Sequence, residues 1–392
     1  MNPDRATPTH GDAPPNGETV DSDVNDRYES DGGGDRWLIL NPASGDGGHG
    51  DRVHRLAADR GIRVLETEGE GDAAAFARRA VAENVRELAV CGGDGTLQEV
   101  LSGLHATGAI RSGTETAIER MHAVHGATDG TETTDDAVET LAPNETGGAN
   151  GTSGTDEANG ELSEGSSVTD PPVLCVIPAG TANIFATDMG ITDIDGGFSV
   201  LDGGEVRRLD VGLADDEPFM KSCIAGLTAD TSSATSDELK ERFGSLAFVI
   251  TGVKRAADFD PLDVEVDARG AEGEWSWNGE ALCIVVGNAR RYAGEVGQAN
   301  IEDGLLDVTI VEEMPPGDVV AEAIERQLLG RETENVTGLR ARRIEIDATG
   351  EGPIEFSLDG EIASHERLTL TVRERAVPVR VGPTYDPDPS DA

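Results

Sequence analysis

The sequence predicts an α/β fold in which a parallel-sheet domain is followed by a β-sandwich domain. Three observations predict it. Apolar runs of strand length alternate with helical patterns through the first half, and alternation of that kind builds a parallel sheet with helices on both faces. Three of those strands run into glycine-rich turns, "NPASG", "CGGDGT" and "PAGTAN". From about Val206 the pattern changes to short runs rich in Val, Ile, Leu and Thr, the signature of antiparallel strands.

The elements follow in order. "RWLILNPASG" is an apolar strand ending in a Pro/Gly turn, and "GDRVHRLAADRG" is helical. "IRVLET" reads as a strand, "GDAAAFARRAVAENV" as an alanine-rich helix, "ELAVCGG" as a strand and "TLQEVLSGLHA" as a helix. "PVLCVIPAG" is a further buried strand, and "TANIFATDMG" a short helix. The later strands are "LDVGLA", "LDVEVDA", "ALCIVVGN", "LLDVTIVEE", "RIEIDA", "IEFSLDGE" and "RLTLTV". Helices are expected near "SDELKERFGSLAFVITGVKRA" and "PGDVVAEAIERQLLG".

Between these blocks lie segments with too little apolar content to offset the entropy of ordering. Residues 1–35 read as a disordered tail, and residues 383–392 as a loose end. From about Thr107 to Asp170 the chain carries 13 acids against Arg111 and Arg120, with no Phe, Tyr or Trp. That segment is an acidic insertion, either an inert loop or a regulatory flap beside the cleft. The resulting plan is an α/β domain over 36–196, with the insertion at about 107–170, and a β-sandwich over 197–382.

The 392 residues carry a formal charge of -45, which argues against a nucleic-acid partner, since phosphate binding needs a basic face. Only Lys221, Lys240 and Lys254 are lysines among 31 basic residues. Acid-rich and lysine-poor composition points to a halophile, because molar salt shortens the Debye length to roughly 3 Å and screens surface self-repulsion. Cys91, Cys175, Cys223 and Cys283 lie in or beside apolar runs without CxxC spacing, and read as buried thiols in a reducing cytoplasm. The sequence has no membrane-span pattern and no signal-peptide start.

In a doubly wound sheet the carboxyl ends of the strands face the ligand crevice. A glycine turn there lets backbone N–H groups approach a phosphate, and the next helix adds its positive end. One such turn is ordinary turn chemistry; three in one domain point to a phosphate ligand. None fits a P-loop or a GxGxxG fingerprint.

The set Asn41-Pro42-Ala43-Ser44-Gly45, Gly92-Gly93-Asp94-Gly95-Thr96 and Pro178-Ala179-Gly180-Thr181-Ala182-Asn183 resembles the diacylglycerol kinase catalytic family. "VVGNARRYAG", "IEDGLLDV" and "SLDGE" extend the likeness into the second half. The resemblance implies an ATP-dependent lipid kinase with an active site in the cleft between a nucleotide-binding domain and the sandwich. Asn41, Ser44, Thr67, Gly92, Gly93, Asp94, Gly95, Thr96, Gly180 and Thr181 are then the expected nucleotide contacts. Asp94 is expected near the phosphates and a metal. Asn300, Asp303 and Leu305 correspond to the family's Mg²⁺ loop, and oxygen ligands suit that hard cation. Glu361 matches the proton acceptor for the lipid hydroxyl, and with Asp94 makes the expected catalytic pair.

The chain departs from the family's common pattern in two places, with Ile184 where many members carry an acid after the asparagine of the third turn, and with an acidic loop between the second and third turns far longer than the family needs. An NAD kinase shares the GGDGT turn and a similar two-domain plan, but would not carry "IEDGLLDV" with "SLDGE". A non-catalytic nucleotide or lipid sensor is the other alternative, and the presence of both Asp94 and Glu361 speaks against it. The expected partners are ATP, Mg²⁺ and a lipid alcohol reached at the membrane surface from the cytoplasm. A homodimer is also expected. Diacylglycerol, a sphingoid or polyprenol-like alcohol and an ether-linked glycerolipid all remain open as substrates.

Overall fold

A computed structural model describes residues 35–112, 170–226, 261–270, 273–290, 299–312 and 335–387. The helices expected near residues 236–256 and 316–330, nearly all of the N-terminal tail and most of the acidic insertion lie outside the described residues.

The first half alternates as expected: β1 (Arg36–Leu40), α1 (Gly50–Ala58), β2 (Arg63–Glu66), α2 (Asp72–Ala82), β3 (Glu87–Gly92), α3 (Asp94–Ala106) and β4 (Val173–Pro178). These strands lie in the order β4-β3-β1-β2, all parallel. Their apolar runs are buried on both faces, as a sheet covered by helices on each side requires. Helix α2 turns Ala73, Phe76, Ala77, Ala80 and Val81 inward, the i, i+3, i+4 spacing of one helical face.

Two short helices follow, α4 (Ile184–Asp188) and α5 (Ile194–Gly203). Helix α5 was not expected, because Gly196 and Gly197 sit in its first turn and glycine is a poor helix former. The legible signal was its cap, since the Asp193 side chain accepts the Gly196 N–H at 2.9 Å.

The second half is antiparallel: β5 (Glu205–Ala214), β6 (Glu217–Phe219), β7 (Ser222–Ala225), β8 (Leu262–Gly270), β9 (Gly273–Gly287), β10 (Leu306–Glu312), β11 (Val336–Ala341), β12 (Arg343–Ala348), β13 (Ile354–Leu358), β14 (Glu361–His365) and β15 (Arg367–Val381). Alternation is clearest in β8, where Val264, Val266 and Ala268 face in and their neighbours face out. β9 is long and changes partners along its length: its first part pairs with β8, and its last residues pair with β7 and β10. The core of these strands holds Phe219, Val266, Ile284, Val308, Ile344, Phe356 and Leu370.

β15 ties the two halves together. Its first half pairs with β12, a register shift follows between Arg373 and Val377, and Val379 then lies parallel to Leu174 of β4. Ala376, Val377, Val379 and Val381 therefore belong to the core of the parallel sheet.

Two expected loose segments are anchored where they are described. Ala109 and Ile110 are buried, so packing continues past the start of the insertion. Tyr385 packs on the first core and donates its hydroxyl to Glu302 at 2.7 Å, fastening the stretch expected to be free.

Candidate functional site

Three turns meet at the carboxyl edge of the parallel sheet. Asn41 follows β1 and donates its side-chain N–H to Thr96 Oγ1 at 3.0 Å, joining the first turn to the second. Its carbonyl accepts the N–H of Ser44, and its Oδ1 that of Ala43. Gly45 has φ +56° and lies so close to the third turn that a Cβ would stand 2.5 Å from the Ala179 oxygen. A Cβ on Gly180 would stand 2.5 Å from the Gly93 Cα, so the second and third turns touch backbone to backbone. Thr67 follows β2, its N–H donating to the carbonyl of Leu40, the last residue of β1, at 2.9 Å. Gly95 and Thr181 are exposed, whereas Thr96 is buried. The structure thus gathers all the expected nucleotide residues along one edge.

Asp94 opens α3 and reaches the third turn. Its two oxygens accept the backbone N–H groups of Ile184 and Phe185, each at 3.3 Å. Asn183, at φ +50°, turns the chain into α4 and holds Gly180 through its side-chain amide. Ile184 thus contributes a backbone donor to Asp94.

Glu361 stands on the second half of the molecule. It is the first residue of β14, paired with Leu358 across a two-residue turn. Asp359 at φ +48° and Gly360 at φ +108° give that turn the left-handed backbone which Asp-Gly favours in tight hairpins. Partial desolvation, then the charges of Glu217, Glu70, Glu99 and Asp359, raise the Glu361 carboxyl above its ordinary pKa. Glu70 and Glu99 belong to the first half, so carboxylates of both halves bear on Glu361.

Two residues that sequence reasoning did not assign a role connect these parts. Lys221 is buried, and its Nζ lies 3.3 Å from Asp94 Oδ2. Asp359 accepts the backbone N–H groups of Met220, Lys221 and Ser222 at 2.7, 2.9 and 2.8 Å. Burial raises the Asp359 carboxyl, and the Lys221 charge and these three donors oppose the rise. Lys221 was visible in the sequence as one of three lysines, but nothing local marked it as buried.

The expected metal loop lies elsewhere, on the far side of a buried spine. Asp303 Oδ1 accepts the Leu305 N–H at 2.9 Å, and Oδ2 lies 3.4 Å from Arg340. The fully buried Asp210 accepts the N–H groups of Gly304 and Arg375 at 2.6 Å, and burial pushes its carboxyl up to about 7. Asn288 then donates to the carbonyls of Asp210 and Met220, linking this loop to the Lys221 segment. Burial also raises the Asp303 carboxyl, and the Leu305 N–H, Arg340 and Arg342 oppose the rise; carboxylate and carbonyl oxygens are the donor type a hard cation takes. Among the described residues no cluster of three or more His, Cys, Asp or Glu side chains is placed to hold a metal.

Residues 35–145 match the family model described as diacylglycerol kinase catalytic domain, and residues 221–381 match the YegS C-terminal NAD kinase beta sandwich-like domain. A protein of Xanthomonas axonopodis pv. citri described as "Probable lipid kinase YegS-like" is 30% identical over 339 residues, covering 83% of this chain and 88% of that protein. The chain belongs to the diacylglycerol kinase catalytic-domain family. It is a kinase of the lipid kinase type.

Relatives of this kinase with the same description occur in Pseudomonas putida and Stenotrophomonas maltophilia, at 30% and 31% identity. Those alignments span 52% and 48% of this chain and just under two thirds of each relative, 66% and 63%. The crystal structure of a diacylglycerol kinase from Bacillus anthracis str. Sterne shares the fold, with a TM-score of 0.61 over 89% of this chain and 97% of that one, at 20% identity. The kinase therefore has the expected α/β and β-sandwich architecture. No helix among the described residues is long and apolar enough to cross a membrane.

Proposed function

We propose that this kinase transfers the γ-phosphoryl group of ATP to the hydroxyl of a diacylglycerol-like lipid, with Mg²⁺. The observation that supports this reading is that the hairpin carrying Glu361 is joined to the second glycine turn through Lys221, whose N–H donates to Asp359 Oδ1 at 2.9 Å and whose Nζ lies 3.3 Å from Asp94 Oδ2. Transfer between two oxygens requires the triphosphate to be held and the acceptor hydroxyl to be oriented and deprotonated.

Asn41, Ser44, Thr67, the stretch Gly92 to Thr96, Gly180 and Thr181 hold the nucleotide. Their contacts with one another favour this, because a preformed set of backbone donors costs little to order on binding. Asp94 keeps the second and third turns in register through its bonds to Ile184 and Phe185. Glu361 takes the proton of the lipid hydroxyl as the new P–O bond forms. Its raised pKa supports the assignment, since a stronger base suits an alcohol better than an ordinary carboxylate does.

Asn300, Asp303 and Leu305 would hold a structural Mg²⁺, whose charge would offset the half-buried Asp303 carboxylate. A Mg²⁺ accompanying ATP would neutralise phosphate charge.

The charge of -45 with three lysines supports a protein adapted to molar salt. It also disfavours electrostatic attraction to anionic headgroups, so apolar contact serves a transient approach to the membrane surface from the cytoplasm.

The test is direct. The protein is incubated in molar KCl with ATP, Mg²⁺ and mixed micelles containing diacylglycerol, and the products are identified by mass spectrometry. Formation of phosphatidic acid supports the reading. Phosphorylation of NAD with none of lipid would contradict it.

A further inference from the structure

We propose that Lys221 is a positioning residue for phosphoryl transfer, fixing the turn that carries Glu361 relative to the glycine turn that carries Asp94. The inference rests on the lipid kinase mechanism above, and extends it to a residue with no role there.

Both ends of Lys221 are held. Its ammonium lies 3.3 Å from Asp94 Oδ2, on the first half of the molecule. Its backbone N–H donates to Asp359 Oδ1 at 2.9 Å, two residues from Glu361 on the second half. Its carbonyl accepts the N–H of Asn288 at 2.8 Å. One residue therefore spans the two groups whose separation decides whether the lipid hydroxyl meets the γ-phosphorus.

The neighbouring chain explains how the ammonium is aimed. Gln98 of α3 donates to the Pro218 carbonyl, and His105 Nε2 lies 2.9 Å from Asp216 Oδ1. Asp94, Gln98 and His105 are spaced four and seven residues apart, which places them on one face of α3. The stretch from Asp216 to Lys221 thus lies along that face, with Lys221 at the end nearest the glycine turns.

Residue choice points the same way. The chain meets its other needs for positive charge almost wholly with arginine, yet keeps one of its three lysines here, 7% exposed. Lysine brings a compact point charge on a flexible stem, where arginine brings a wide planar fork. A buried ammonium beside Asp94 also avoids leaving that carboxylate uncompensated.

Lys221→Met, Lys221→Arg and Asp94→Asn/Lys221→Met are assayed with ATP and diacylglycerol micelles, with thermal unfolding in parallel. Lys221→Met is expected to lower kcat about 10²-fold while KM for ATP changes by no more than about twofold, as a misplaced reacting pair predicts. Lys221→Arg is expected to recover part of kcat. The double variant keeps the site electrically paired should Lys221→Met fail to fold, and is expected to have the kcat of Asp94→Asn alone. A folded Lys221→Met with wild-type kcat, or additive losses in the double variant, would overturn the inference. Absence of lipid phosphorylation by the wild type would overturn the proposed function itself. The bond is then still read by a double-mutant cycle on unfolding, in which zero coupling between Asp94 and Lys221 overturns the linkage.

Discussion

The Asp94 carboxylate accepts the backbone N–H of Phe185 at 3.3 Å, so the acid of the second glycine turn caps the helix that follows the third. That bond, with its neighbour to Ile184, answers why an acid sits among glycines at the end of β3. The glycines let two turns touch, and the acid binds the exposed donors on the other side.

Asp94→Asn is therefore expected to cost both stability and activity. It removes the charge beside buried Lys221, and breaking a largely buried pair from one side costs about 3 kcal/mol. Denaturant unfolding in molar KCl reads this directly. Turnover of the folded variant is expected to fall as well, with a weaker response to Mg²⁺.

The pH dependence of kcat/KM follows from the carboxylates around Glu361. In the proposed mechanism Glu361 acts deprotonated, and its pKa is raised, so the acid limb of the profile should lie above the ordinary carboxylate range. Glu217→Gln removes a negative neighbour, which lowers the Glu361 pKa and moves the acid limb to lower pH. Raising KCl moves the wild-type limb in the same direction by screening. A limb that stays fixed under both changes would show that another group is titrating.

Folding stability should rise with KCl up to molar concentration, since a charge of -45 repels itself in dilute buffer. A melting temperature independent of salt would contradict the halophilic reading.

The four cysteines are free and buried, and burial pushes the Cys91, Cys175 and Cys283 thiols up to about 12 and raises Cys223 too. An aromatic disulfide reagent should label none of them in the native protein, and all four once the chain is unfolded, because the thiolate is the nucleophile. Fast labelling of the native protein would contradict their placement.

Much of the fold was legible because periodicity is a local signal. The runs at Trp37 to Leu40 and Leu88 to Cys91 read as buried strands, and Val264 to Ala268 showed the alternation of a half-covered sheet. The glycine turns were legible too, since they follow strand ends directly. Lys221 and Asp359 were not, because their meaning arises from contacts over long sequence separation, 127 residues from Asp94 to Lys221 and 138 from Lys221 to Asp359. Tyr385 was hidden by its surroundings, an isolated aromatic among prolines and acids that reaches Glu302 only once β15 has returned to the first core.

The central claim is that Glu361 accepts the proton of the lipid hydroxyl. Glu361→Gln preserves size and the hairpin at Asp359-Gly360, and the residues proposed to hold the nucleotide lie on the other half of the molecule, so fold and ATP affinity should be unchanged. The decisive measurement is the rate of diacylglycerol phosphorylation by the folded variant at saturating ATP. The mechanism predicts a fall on the order of 10² to 10⁴, the usual contribution of a general base. Phosphorylation at the wild-type rate would contradict it and assign the base to another residue.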